Sequence, residues 1–148
     1  MVFNRLLRIF SGLPVFTLLL FPVLVSAESQ KSIAILAVEE VGGVVLPISG
    51  GGWEVGFHLR GRGLLTDDGL KTLKALGDVI SLNLRDTKIT SEGLVHLKGF
   101  RSLRRLHLER TDIDDRGLEN LSGLTELEYL NLYQTQVSDK GLEHLSGL

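Results

Sequence analysis

The sequence predicts an α/β solenoid: a right-handed coil with one strand and one short helix per turn, and a parallel sheet on its concave face. Three observations lead there. Leu82-Asn83-Leu84, Leu106-His107-Leu108 and Leu130-Asn131-Leu132 recur every 24 residues. Gly93, Gly117 and Gly141 keep the same step, as do Leu94, Leu118 and Leu142. A helix-strand segment with a Gly-Gly break precedes the first unit, where it would cover the open end of a stack.

Residues 1–27 read as a secretory signal peptide. Arg5 and Arg8 form a positive start, Ile9 to Val25 is uncharged, and Val25-Ser26-Ala27 offers small residues for cleavage after Ala27. The expected location is therefore secreted or periplasmic. The alternative is a membrane anchor formed by residues 9–25. That stretch has 17 residues, at the lower edge of a bilayer span, and Pro14 and Pro22 interrupt it. Membrane contact is expected only if this segment is retained. The remainder, Glu28–Leu148, carries 14 basic and 18 acidic residues, a net charge of −4. That balance argues against nucleic acid as a partner, since phosphate binding needs local positive charge. There is no Cys, which rules out disulfides, thiol catalysis and Cys-based zinc sites.

Residues 28–52 form the expected N-terminal cap. Ser32–Val41 reads as a helix, Gly42-Gly43 ends it, Val44–Ile48 reads as a short strand, and Ser49-Gly50-Gly51-Gly52 is a loop. No Lys-Ser/Thr follows the glycines, so they do not form a phosphate-binding loop.

Residues 53–148 hold about four repeats of the form L-x-L-x-x-T-x-[IV]-[TDS]-x-x-G-L-x-x-L-x-x-[LF]-x-x-L-x-x, the last incomplete. The L-x-L alternation makes a short strand with leucine on one face. Thr66, Thr90, Asp114 and Ser138 follow at equivalent positions as helix N-caps. Asp67, Ser91, Asp115 and Asp139 come next, mostly acidic, as the positive end of a helix dipole favours. Leucine at three-residue steps then lines a two-turn helix. Gly99, Gly123 and Gly147 stand where a left-handed cap would end it. Thr87, Thr111 and Thr135 are read as small polar groups that bond loop backbone between turns, and the Gly69/93/117/141 column as a packing feature.

The first repeat is irregular. Phe57-His58-Leu59 is read as its strand, 25 residues before Leu82-Asn83-Leu84, with Gly61-Arg62-Gly63 absorbing one extra residue. At the other end, Leu142, Leu145 and Leu148 meet no following repeat, so self-association through an uncapped C-terminal end is expected as one option and a longer array as the other.

The run Leu82–Leu94 and its two successors resemble bacterial leucine-rich-repeat proteins with 24-residue repeats. They are also similar to the cysteine-containing repeat class of F-box ubiquitin-ligase adaptors, with Thr in place of Cys. Ile33–Leu46, with its Gly42-Gly43, looks like the lead-in before such repeats in bacterial exported proteins. The resemblance implies a solenoid with general binding capacity and no particular ligand. No F-box segment is present, so a ubiquitin-ligase role is not implied.

The sequence contains no recognised catalytic constellation, so an enzyme is not expected, nor a cofactor. Asp67-Asp68 and Asp114-Asp115 lie at helix starts, where capping explains them. His96 and His144 share a helix position but stand two repeats apart, too far for ligand distances of ~2 Å. No metal site is expected.

The candidate site is the concave sheet face. Alternation assigns three columns: Gly56, Ser81, Arg105, Tyr129; then His58, Asn83, His107, Asn131; then Arg60, Arg85, Glu109, Tyr133. Ligand contact is expected from His58, Arg60, Asn83, Arg85, Arg105, His107, Glu109, Tyr129, Asn131 and Tyr133. Arg and Tyr are common binding hot spots. The expected function is a non-catalytic, exported protein-protein interaction module with an unidentified protein partner. The alternative is a scaffolding part of a longer leucine-rich-repeat envelope protein.

Overall fold

A computed structural model describes residues 27–61 and 63–148. Residues 1–26 of the proposed signal segment 1–27, and Arg62, lie outside the described residues. Helix α1 (Ala27–Glu40) leads to β1 (Val44–Pro47) and β2 (Trp53–Gly56). Three further strands follow, β3 (Val79–Asn83), β4 (Arg105–His107) and β5 (Tyr129–Asn131). They form one sheet in the order β1-β2-β3-β4-β5, parallel throughout except for the β1–β2 hairpin. Each parallel crossover returns through a short helical segment, the α/β coil expected from the period.

Those segments are tighter than expected. Asp67–Leu76 and Gly93–Leu97 are 3-10 helices rather than two-turn α-helices. In the last two repeats a single α-turn, α2 (Asp115–Leu118) or α3 (Asp139–Leu142), continues as a 3-10 turn, Glu119–Leu121 or Glu143–Leu145. The reason is in the leucine spacing. Leu70, Leu73 and Leu76 stand three apart, and a three-residue turn keeps all three on one side, fully buried. The left-handed glycine caps are therefore selective. Gly77 (φ 81°) and Gly99 (φ 119°) take positive φ where these segments end, though Gly77, with ψ −125°, is not a left-handed helical cap, whereas Gly123 and Gly147 do not have positive φ.

The core is a set of columns. Leu70, Leu94 and Leu118 are inaccessible, as are Leu82 with Leu106, Leu84 with Leu108, and Ile89 with Ile113. Each leucine so buried contributes roughly 1.5–3 kcal/mol. The equivalent side chains in the last repeat, Leu130, Leu132, Val137 and Leu145, are only half-buried, and Leu142 is exposed. At the other end Ala34 and Val38 of α1 join the same core. Trp53 Nε1 donates to the Leu76 carbonyl at 2.9 Å, tying β2 to the first 3-10 helix.

The register of the first repeat corrects the sequence reading. Val55 pairs with Leu82 and Gly56 with Asn83, so Val55-Gly56-Phe57 is the equivalent of Leu82-Asn83-Leu84, β2 ends at Gly56, and His58-Leu59 lies in the turn beyond it. The displacement is 27 residues rather than 25, with an irregularity between Trp53 and Glu54. Burial explains the choice. Val55 and Phe57 are sealed in the core while Leu59 is 65% exposed. Gly43 and Gly61 leave the room that the Phe57 ring fills.

Polar bonds between repeats recur at the helix starts. Asp67 accepts from the Thr90 amide at 2.9 Å and from its hydroxyl at 2.7 Å. Asp115 accepts from the Ser138 amide and hydroxyl, both at 2.7 Å. In the middle rung the roles reverse. Ser91 Oγ accepts from the Asp114 amide at 2.9 Å and donates to its carboxylate at 2.6 Å. These side chains thus join neighbouring repeats, which a helix-dipole role alone does not describe. The caps also work locally: Thr90, Asp114 and Ser138 accept from the amide two residues on, whereas Thr66 makes no side-chain cap bond.

The recurrent glycines make this rung possible. A Cβ on Gly93 would overlap the Asp67 carboxylate, and one on Gly141 would meet Asp115. Thr87, Thr111 and Thr135 donate to the carbonyls of Leu84, Leu108 and Leu132 at 2.6–2.7 Å, within their own turns rather than between turns.

Gly93→Ala is expected to push Asp67 off Thr90 and to lower stability by roughly 1–3 kcal/mol, read as a reduced urea midpoint. Acid should act on the same ladder. Hydrogen bonds from Arg116 and Ser91 hold Asp114 at about 2, and the Ser138 amide and hydroxyl hold Asp115 below the ordinary 3.8. A lowered carboxylate stabilises the fold above its unfolded value. That stabilisation is fully present above 3.8 and is lost as pH falls toward about 2. Urea midpoints taken across that window should drop, and drop less in Asp114→Asn.

Candidate binding face

Strand pairing sets the solvent face of the sheet. Glu54, Ser81, Arg105 and Tyr129 make the first column, and Gly56, Asn83, His107 and Asn131 the second. Amides Phe57, Leu84 and Leu108 donate to the carbonyls of Asn83, His107 and Asn131 in the next strand. That equivalence puts His58, Arg85, Glu109 and Tyr133 in the third column. Three expected column members therefore move, Gly56 from the first column to the second among them. His58 shifts from the second column to the third, and Arg60 leaves the columns for the turn after β2. The cause is the 27-residue register, which slides the first repeat by two residues and keeps its side chains on the same face. Glu54, missed by the sequence reading, enters the first column.

The remaining residues have distinct environments. Tyr129 and Tyr133 are exposed, at 43% and 62%. Arg105 is exposed and has no ion pair among the described residues. His107 packs against the Tyr129 ring, with centroids 4.9 Å apart and planes tilted by 40°. His107 Nδ1 lies 3.1 Å from Glu109 Oε1. Arg85 reaches Asp86, which also faces Arg110 at 3.6 Å, and Arg110 donates to Gln134 at 2.7 Å.

The asparagines are committed to the backbone. Asn83 Oδ1 accepts from the Arg85 amide at 3.1 Å, and Asn131 Oδ1 from the Tyr133 amide at 3.0 Å. Each bond bends the chain out of its strand. One residue later the backbone turns left-handed at Asp86, Arg110 and Gln134, with φ of 58°, 55° and 56°. Such a conformation is unfavourable for side-chain-bearing residues by roughly 1–2 kcal/mol each. Amides Asp86 and Arg110 recover bonds to the carbonyls of Glu109 and Tyr133. No residue-type signal marks these turns, since Asp, Arg and Gln share no preference for them.

A groove of ≈ 710 Å³ on the helical side, between Lys74, His96 and Lys98, was not singled out by the sequence. Among the described residues no cluster of three His, Asp or Glu side chains is placed to hold a metal ion. Among the described residues no helix is long and apolar enough to cross a membrane.

A sheet built this way, with leucine columns on one side and variable columns on the other, defines a leucine-rich-repeat solenoid. The Leucine Rich repeat family pattern matches residues 79–97 and 101–122. Among solved structures, an internalin from Listeria monocytogenes is similar over 53% of this chain, at 26% identity and a TM-score of 0.43. The chain spans 23% of that protein's length. No curated protein matches the chain.

The two kinds of face residue should separate by mutation. Asn83→Ala is expected to cost about 0.5–1.5 kcal/mol of stability by freeing the Arg85 amide. Arg105→Ala should leave the urea midpoint unchanged, because its exposed side chain makes no hydrogen bond or ion pair among the described residues.

Proposed function

We propose that this chain is an exported, non-catalytic protein-interaction module whose protein partner docks on the concave face of the sheet. The observation that carries the reading is the adjacency of Arg105, His107, Tyr129 and Tyr133 on β4, β5 and the turn after β5. Two exposed tyrosines, a guanidinium with no ion pair among the described residues and a histidine packed at a tilt on the Tyr129 ring occupy neighbouring positions on the sheet face. Leucine-rich-repeat domains are typically protein-interaction modules, and tyrosine and arginine are the residue types that anchor interfaces. The net charge of −4 beyond residue 27 favours a protein over nucleic acid. Export rests on the signal-peptide layout of residues 1–27, with residues 9–25 as the anchor if they are retained.

Affinity capture tests the face. The triple variant Arg105→Ala/Tyr129→Ala/Tyr133→Ala should lose the captured partner, with affinity reduced at least about 30-fold, the equivalent of one hot spot of ~2 kcal/mol. Lys74→Ala/Lys98→Ala, on the helical side, should retain it. The reverse pattern would move the binding site to the groove. Intact-mass analysis of the exported protein should show residues 1–27 removed, and retention of Met1 would place the chain on the membrane instead.

A further inference from the structure

Glu109 is out of keeping with its column. His58, Arg85 and Tyr133 at the equivalent positions are half-buried or exposed, whereas Glu109 is 8% exposed. Burying a carboxylate is costly unless it is bonded. One oxygen meets His107 Nδ1 at 3.1 Å, and the other, Oε2, is buried with no hydrogen-bond partner. No repeat bond, cap or strand pairing uses this side chain, so the histidine is its one polar contact among the described residues.

That contact constrains the imidazole. A carboxylate accepts and does not donate, so the shared proton belongs to Nδ1. A neutral imidazole carries one N–H, and with that proton on Nδ1 the other nitrogen, Nε2, is an acceptor. Nε2 makes no hydrogen bond among the described residues and is not one of the buried unpartnered atoms. The side chain is 27% exposed and its ring rests against Tyr129.

We propose that Glu109 is a positioning residue that locks His107 in the Nδ1–H form, so that the binding face presents Nε2 as an acceptor. The protein partner then places a side-chain or backbone N–H or O–H donor on Nε2, beside the Tyr129 ring. This deepens the proposed binding role of the sheet face and rests on it. The buried carboxylate sets the polarity of the site: a partner offering an acceptor at this point is rejected, because two lone pairs would be buried face to face.

Long-range proton–nitrogen correlation spectra of the isotope-labelled protein read the tautomer directly, at about pH 8.5, where an ordinary imidazole is neutral. In the wild type the His107 proton should sit on Nδ1. Glu109→Met removes the acceptor at similar volume and should shift His107 to the Nε2–H form. Glu109→Gln keeps a carbonyl oxygen and should restore Nδ1–H. A wild type with the proton on Nε2 overturns the proposal, and so does a Met variant that keeps it on Nδ1. Diethyl pyrocarbonate, which acylates an unprotonated ring nitrogen, should label His107 at Nε2 in the wild type. Absence of that adduct would show Nε2 closed to a partner and overturn the docking half. If the triple variant of the sheet face retains its partner while the spectra show Nδ1–H, the binding role fails and the tautomer assignment stands.

Discussion

A single turn of this coil has two leucine-bearing sides and nothing of its own to cover them. The bond from Asp67 to Thr90 and its two successors holds one turn against the next at the start of each helical segment. Thr90 lies 23 residues beyond Asp67, so the contact spans nearly one full repeat. It requires a backbone close enough that no Cβ fits at Gly93 or Gly141. That same closeness lets Leu70, Leu94 and Leu118 merge into a column sealed from water. The strands meet at the roughly 4.8 Å spacing of any sheet. The ladder sets the matching approach on the helical side.

Two consequences follow for the shape of each turn. The leucines stand three apart, and the short segments wind as 3-10 turns in the first two repeats and finish in a 3-10 turn after a single α-turn in the last two. The chain must also leave each parallel strand sharply: β3, β4 and β5 are each followed by one left-handed residue, and after β3 and β5 an asparagine oxygen holds the intervening amide. Asp86, Arg110 and Gln134 hold that conformation without being glycine. At Asp86 and Arg110 the strain is offset by the residue's own amide, bonded to the neighbouring turn at the carbonyls of Glu109 and Tyr133. A turn detached from its neighbours would have no such support.

The core therefore takes one side of the sheet and leaves the other free. Asn83 and Asn131 are drawn into the turns, Tyr129 accepts from the Asn131 side-chain amide and packs on His107, and the side chains of Arg105 and Tyr133 make no bond among the described residues. Glu109 stands between these classes. It is buried like a core residue and polar like a face residue, and its bond is to a side chain on the face. The solenoid thus separates what holds it together from what it presents, with His107 braced at the boundary.

The sequence by itself determined the 24-residue period, the strand and leucine columns, the caps at Thr90, Asp114 and Ser138, and most of the face. These are readable because a coil repeats its local environment, so each residue type recurs at its step. The tertiary structure decided what broke that step. The first repeat is set by Val55-Gly56-Phe57, because Val55 and Phe57 are the side chains buried in the core there, with the Phe57 ring beside Gly43. Two alternating patterns overlap in the sequence, and burial alone chooses between them. The same choice removed Arg60 from the face and brought in Glu54. The ladder partners of Asp67, Ser91 and Asp115, and the bond between His107 and Glu109, also needed the folded chain. A residue type announces what a side chain is able to bond, and only packing in three dimensions selects which group it meets.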